Sequence, residues 1–95
     1  MNHTESSLFE GRASAHHIAL PGAPLLVARA ANGFVMCGFL DIRSADKFQC
    51  AAAVVRGVKD VDELLVKTVT DVSASAAALG VTVGMTGRQA LEKFL

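Results

Sequence analysis

The sequence predicts an α+β fold: a small, mainly antiparallel sheet of about four strands with short helices packed on it, and a C-terminal half that is helical. Short apolar runs separated by turn signals occur over residues 15–58, and helix-capping patterns follow from Asp60 onward. A chain of 95 residues has room for only one core. We therefore expect a single domain over residues 8–95, preceded by a flexible N-terminus over residues 1–7.

Four strands are predicted in the first half of the chain. Their ranges are 15–20, 24–30, 34–40 and 51–58. The first ends at a Pro-Gly pair, a strong turn signal, and an Asn-Gly pair at 32–33 supplies the positive φ values of a tight hairpin between the second and third. Asp41 or Ser44 is expected to cap a short helical crossover that leads to the fourth.

Helix-start signals recur in the second half. Asp60 and Thr86 each stand three positions before a Glu or Gln, which is the spacing of a capping box. Residues 69–79 carry apolar side chains at helical spacing, and Gly80 follows where a left-handed C-cap belongs. We therefore predict one helix after Asp60, a second over 69–79 and a third after Thr86.

The predicted strands are apolar on both faces. In the strand 34–40, Phe34 and Met36 alternate with Val35 and Cys37, and neither set is polar. Hydrophobic residues make up 52% of the chain and charged residues only 19%, so much apolar surface needs covering. Short helices are expected to cover one face, which leaves the other for a second copy of the chain. The sequence therefore predicts a homo-oligomer that associates through an apolar sheet face.

Composition also argues against several partners. Lys and Arg together number nine, as do Asp and Glu, and the basic residues are scattered, so we expect no nucleic-acid binding. No apolar run approaches the roughly 20 residues of a membrane span, and the first residues lack the basic-then-apolar order of a signal peptide.

Cys37 and Cys50 are then expected to be reduced thiols of a cytoplasmic protein. No CxxC or His/Cys cluster indicates a metal, and no cofactor is expected.

Three ordered blocks carry a resemblance to a known family. They are Met36-Cys37-Gly38 with Leu40-Asp41, then Gly57-Val58 before "VDELL", and finally "ALGVTVGMTGRQAL". With these blocks the sequence resembles the YunC-like family, small bacterial and archaeal proteins that carry a domain of unknown function. The resemblance implies an α+β fold and no established activity, so no catalytic role is carried over from it.

Cys37 is the first candidate for chemistry. A nucleophilic cysteine needs a base within hydrogen-bond reach and a partly exposed, electropositive setting. Asp41, four residues on, and His16, on a strand that could lie nearby, would be its partners. The other interpretation, which we favour, is a small, buried and slow-reacting core thiol. Cys50, at the start of its strand, is expected to be the more accessible cysteine.

The second candidate lies at the start of the last predicted helix. Gly84 and Gly87 flank Thr86, and Arg88 follows in the first turn, so backbone N–H groups, a hydroxyl and a guanidinium could bind a carboxylate or phosphate. Arg56 could add a second cation. The alternative is a loop, a threonine cap and a solvated arginine.

These observations support two functional hypotheses. The leading one is a cytoplasmic, homo-oligomeric binding or regulatory module that binds a small anionic ligand near residues 84–88. The alternative is a small cysteine-dependent or metal-assisted enzyme that uses Cys37 with Asp41 and a histidine. A crystal structure discriminates between them by whether Cys37 lies in an open cleft beside a histidine.

Overall fold

The computed structural model describes residues 3–39 and 41–95, and it has the α+β fold that the sequence predicts. Its strands are β1 (His3–Leu8), β2 (Ala13–Ile18), β3 (Leu25–Ala30), β4 (Gly33–Cys37), β5 (Ala52–Val55) and β6 (Asp71–Val72). Its helices are α1 (Ile42–Lys47), α2 (Val61–Val66), α3 (Ala74–Ala78) and α4 (Gly87–Lys93), with a short 3-10 helix at Phe9–Gly11.

The strands form one mixed sheet, and their order in the sheet is their order along the chain. β1 to β4 form an antiparallel meander, β5 runs parallel to β4, and β6 is antiparallel to β5. The expectation of about four antiparallel strands is therefore corrected to six strands with one parallel pair. The C-terminal half is also not uniformly helical, because β5 and β6 lie between its short helices.

The extra strand at the N-terminal edge is polar. Residues 3 to 7, which the sequence analysis assigned to a flexible N-terminus, lie in β1 and pair in register with β2 from His3 opposite Ile18 to Leu8 opposite Ala13. The stretch HTESSL has no apolar alternation, so the hydrophobic pattern contains no strand signal there. The backbone pairing with β2, rather than burial of side chains, defines this strand.

The predicted helix over 69–79 is wrong in its first half. Thr70 donates its backbone N–H to the Val54 carbonyl at 2.8 Å, and Ser73 donates to the Ala52 carbonyl at 2.9 Å, so the chain runs extended along β5. The helix begins only after Ser73, whose side chain caps α3. Gly80 follows with φ +94, as the C-cap signal predicts.

The two faces of the sheet are covered unequally. α2 and α4 pack on one face, where Val35 and Cys37 join a core cluster with Leu64 and Phe94. α1 packs on the other face, where Ala45 meets a smaller cluster that includes Met36. The alternation predicted along β4 is therefore confirmed for residues 34–37.

One buried hydroxyl joins α3 to the sheet. Ser73 is fully buried, and its Oγ accepts the N–H of Ala52 at 2.9 Å and that of Ala76 at 3.2 Å. The same hydroxyl donates to the Cys50 carbonyl at 2.7 Å. Removing it would leave several backbone groups unpaired in a site that water does not reach, and each such group carries a desolvation cost.

We therefore expect Ser73→Ala to lower the free energy of unfolding by about 2–3 kcal/mol. Ser75→Ala is the matched control, because the Ser75 hydroxyl makes a single bond, of 3.3 Å, to the Gln49 carbonyl. That variant should lose less than about 1 kcal/mol. Urea unfolding of both variants measures the difference, and equal losses would show that Ser73 is an ordinary helix cap.

Candidate functional site

Cys37 ends β4 and lies in the core. It is 3% exposed, and its Sγ accepts a hydrogen bond from the Leu26 N–H at 3.4 Å. Leu26 itself is fully buried. The thiol is therefore enclosed by apolar neighbours and a backbone donor, which agrees with the prediction of a buried cysteine.

The histidines do not complete a set around Cys37. His16 faces the opposite side of the sheet, where its Nε2 lies 3.0 Å from the Ser14 hydroxyl. His17 shares the face of Cys37 but pairs with Leu26, which lies between the two in the sheet. The structure therefore does not bring Cys37, Asp41 and His16 together into one site.

Asp41 has a structural task at the start of α1. Its carboxylate accepts the Arg43 N–H at 2.9 Å, which is the cap predicted from the sequence. The Arg43 guanidinium donates to the same carboxylate, with Nη2 2.9 Å from Oδ2. These bonds from Arg43 lower the pKa of Asp41, and they raise the pKa of Arg43 in turn. The carboxylate is therefore a capping group rather than a base.

We expect Arg43→Gln to raise the pKa of Asp41 towards its ordinary value of 3.8, because the hydrogen bonds from the Arg43 guanidinium, which do most to lower this pKa, are lost. A carboxyl-detected NMR titration measures this pKa directly, and Arg88→Gln should leave it unchanged. Since the folded pKa is lowered, Asp41 stabilises the fold fully above its unfolded pKa and progressively less as the pH falls through the folded value. An unchanged Asp41 titration in Arg43→Gln would contradict the assignment.

Thr86 and Gln89 form the predicted capping box at the start of α4. The Thr86 hydroxyl accepts the Gln89 N–H at 3.1 Å, and the Gln89 side chain accepts the Thr86 N–H at 2.9 Å. The N–H groups of Gly84 and Gly87 donate to the carbonyls of Val69 and Lys67. These backbone donors are occupied within the protein, and anion binding here stays a prediction that they do not support.

Arg88 and Arg56 are held by different partners. The Arg88 guanidinium lies over the Phe9 ring, 4.7 Å from its centroid, which is a cation–π contact. Arg56 pairs with Asp71 through Nε and Oδ2 at 3.2 Å, and its chain passes over Gly38. The two cations that the sequence analysis grouped together are therefore not brought to one ligand.

A cleft that the sequence analysis missed opens where β4 and β5 end. We call it the β4–β5 cleft; it holds about 250 Å³. It is lined by Ala23, Pro24, Cys37, Gly38, Phe39, Gly57 and Val58. Three segments far apart in the chain supply these residues, so only the fold brings them together.

The second feature is a half-buried apolar surface on the face that α2 and α4 do not cover. We call it the open face; its residues are His16, Ile18, Leu25, Val27, Arg29 and Phe34. Among the described residues, the only helix on this side is α1, which packs on β5. At its border an apolar groove of about 240 Å³ lies between β4 and α1, beside Phe48, which is 73% exposed.

The described residues contain no group of three or more His, Cys, Asp or Glu side chains placed to hold a metal ion. No helix in the described ranges is long and apolar enough to cross a membrane.

The two cysteines should differ in reactivity. Cys37 is buried and Cys50 is partly exposed, so iodoacetamide should modify Cys50 first in the native protein. Peptide mass analysis over time measures both rates, and the unfolded protein, in which both should react alike, is the control. Faster modification of Cys37 at neutral pH would revive the cysteine-enzyme hypothesis.

Comparisons with known proteins agree with the fold and assign no activity. A family model described as a domain of unknown function, DUF1805, matches residues 36–94. The chain is 32% identical over 82 residues to the uncharacterized protein YunC of Bacillus subtilis (strain 168), which covers 82% of this chain and 81% of that protein. The crystal structure of TA1206, a protein of unknown function from Thermoplasma acidophilum, is similar with a TM-score of 0.87 at 27% identity, covering 100% of this chain and 97% of that one.

Proposed function

The chain belongs to the DUF1805 family of domains of unknown function, and we propose that it is a non-catalytic binding or regulatory module that works as a homo-oligomer. The observation that carries this proposal is the open face. Ile18, Val27 and Phe34 are only partly buried there, and in the described structure no helix lies over β1 to β3 on this side. Apolar surface of this kind is usually an interaction surface.

A second copy of the chain is the occupant that the charges favour. Glu5 on β1 and Arg29 on β3 lie on the same side of the sheet, because Glu5 is opposite His16 and Arg29 is opposite Ser14. A twofold axis along β2 would place β3 of one protomer over β1 of its partner. Arg29 is then offset by roughly 7 Å along the strand from the partner's Glu5, and stacked sheets lie roughly 10 Å apart, a separation within the combined reach of the two side chains.

The enzyme alternative receives no comparable support. Cys37 is buried, Asp41 caps α1 and His16 faces the other side of the sheet. A nucleophilic cysteine requires its base in hydrogen-bond reach, and these three groups do not meet.

We also propose a cytoplasmic location for this module. Cys37 and Cys50 are both free thiols, and disulfides, not free thiols, are typical of oxidising compartments.

Sedimentation at tens of micromolar protein tests the oligomer. Val27→Glu puts a charge into the centre of the open face and should give a monomer, because the carboxylate would be buried against an apolar partner. Val66→Glu is the matched control, since Val66 is 67% exposed on α2, and it should leave the assembly intact. Circular dichroism checks that both variants are folded.

A charge exchange tests the arrangement itself. Arg29→Glu should weaken association about tenfold, and adding Glu5→Arg should restore it, because the ion pair is then re-formed with reversed signs. A wild-type protein that sediments as a monomer would overturn the proposal. So would Val27→Glu and Val66→Glu proteins of the same assembly state.

A further inference from the structure

The β4–β5 cleft lies at the carboxyl ends of the two parallel strands. The last paired residues of β4 and β5 are Cys37 and Val55, and beyond them the two chain segments separate. In open sheets with parallel strands, ligands bind outside these carboxyl ends, where the connections diverge. Position in the fold therefore favours this cleft as a binding site.

Backbone donors converge on this end of the sheet. The parallel pairing of Cys37 with Val55 uses the N–H of Gly38. Among the described residues, no oxygen accepts a hydrogen bond from the backbone N–H of Phe39, Gly57 or Val58. Gly57 takes φ +72, and a Cβ there would meet nothing within 4 Å, so its backbone faces open space. Successive free N–H groups in a turn are a suitable site for an anion.

Two cations border the same place. Lys67 donates through Nζ to the Gly57 carbonyl at 2.7 Å, and the Arg56 side chain lies over Gly38. Each cation also has a carboxylate neighbour, Glu63 at 3.8 Å from Lys67 and Asp71 at 3.2 Å from Arg56. The carboxylates moderate the positive charge, so the site suits one negative charge better than several.

The walls are apolar. Pro24, Phe39 and Val58 line the sides, and the buried Cys37 forms part of the floor. The volume of about 250 Å³ is below the roughly 300–1,000 Å³ of pockets for drug-sized ligands. A ligand of this cleft must therefore be small and must carry a hydrocarbon part.

We propose that the β4–β5 cleft binds a small organic monocarboxylate, with its carboxylate at the free N–H groups and its short hydrocarbon body against Pro24, Phe39 and Val58. This site deepens the proposed role as a binding module and rests on it. It does not depend on association, because the open face lies on β2 to β4 and the cleft lies beyond the end of β4.

Butyrate is a suitable probe, with butanol as its neutral match and inorganic phosphate as an anion without a hydrocarbon body. In 15N-labelled protein, millimolar butyrate should shift the amide signals of Gly57 and Val58 with saturation. Butanol and phosphate should shift them at least tenfold less. Absent saturation with butyrate, or equal responses to phosphate, would overturn the proposal.

Ala23→Phe should fill the cleft and weaken butyrate binding at least tenfold. Ala31→Phe is the matched control, because Ala31 is an exposed alanine in the turn between β3 and β4, and binding should be unchanged. The dispersed amide spectrum shows whether each variant is folded. Butyrate binding that survives Ala23→Phe would place the ligand elsewhere. Sedimentation of the same samples reports on the oligomer, so failure of either proposal is recognised separately.

Discussion

The parallel pairing of β4 with β5 is the constraint on which the rest of the structure depends. Two parallel neighbours cannot be joined by a tight turn, so the chain must cross over, and α1 makes that crossing on one face. α2 and α4 then cover the other face. The same pairing sends the carboxyl ends of β4 and β5 to one edge of the sheet, where their connections separate. Both the unequal covering and the β4–β5 cleft therefore follow from one strand direction.

Close backbone approaches hold the covered face together. A Cβ on Gly33 would collide with the Phe94 ring, and a Cβ on Gly87 would collide with the Leu64 carbonyl. The absence of these side chains lets α4 lie directly against both α2 and the start of β4. Asn32 then donates its N–H to the Phe94 carbonyl at 2.8 Å, which ties the last helix to the β3–β4 turn. A face packed this tightly offers no room to a partner, so the proposed association uses the open face.

Local signals in the sequence predicted local structure well. The caps at Asp60 and Thr86 depend on a few adjacent residues, and both are present in the structure. The predicted β3–β4 hairpin also forms, but the prediction of positive φ values at Asn32 and Gly33 is wrong, because Gly33 pairs with Ala30 inside β4. What was missed depends on distant partners. Residues 70–72 continue a helical apolar pattern but bond to β5 instead, and β1 is polar yet pairs along its whole length. Neither the parallel direction of β5 nor these pairings has a signature within one segment.

The candidate sites show the same limit. The burial of Cys37 followed from strand parity, but the cleft above it joins residues near positions 23, 38 and 57, which only the fold brings together. Because side chains alternate along β4, this one strand contributes residues both to the open face and to the core on the covered face. Phe34 belongs to the open face, whereas Val35 and Cys37 point into the core beneath α2 and α4. The ladder between β4 and β5 ends at Cys37 and Val55, and the N–H groups of Gly57 and Val58 lie beyond it. Side-chain parity thus provides the surface for the proposed association, and the segment beyond the ladder provides the donors for the proposed ligand.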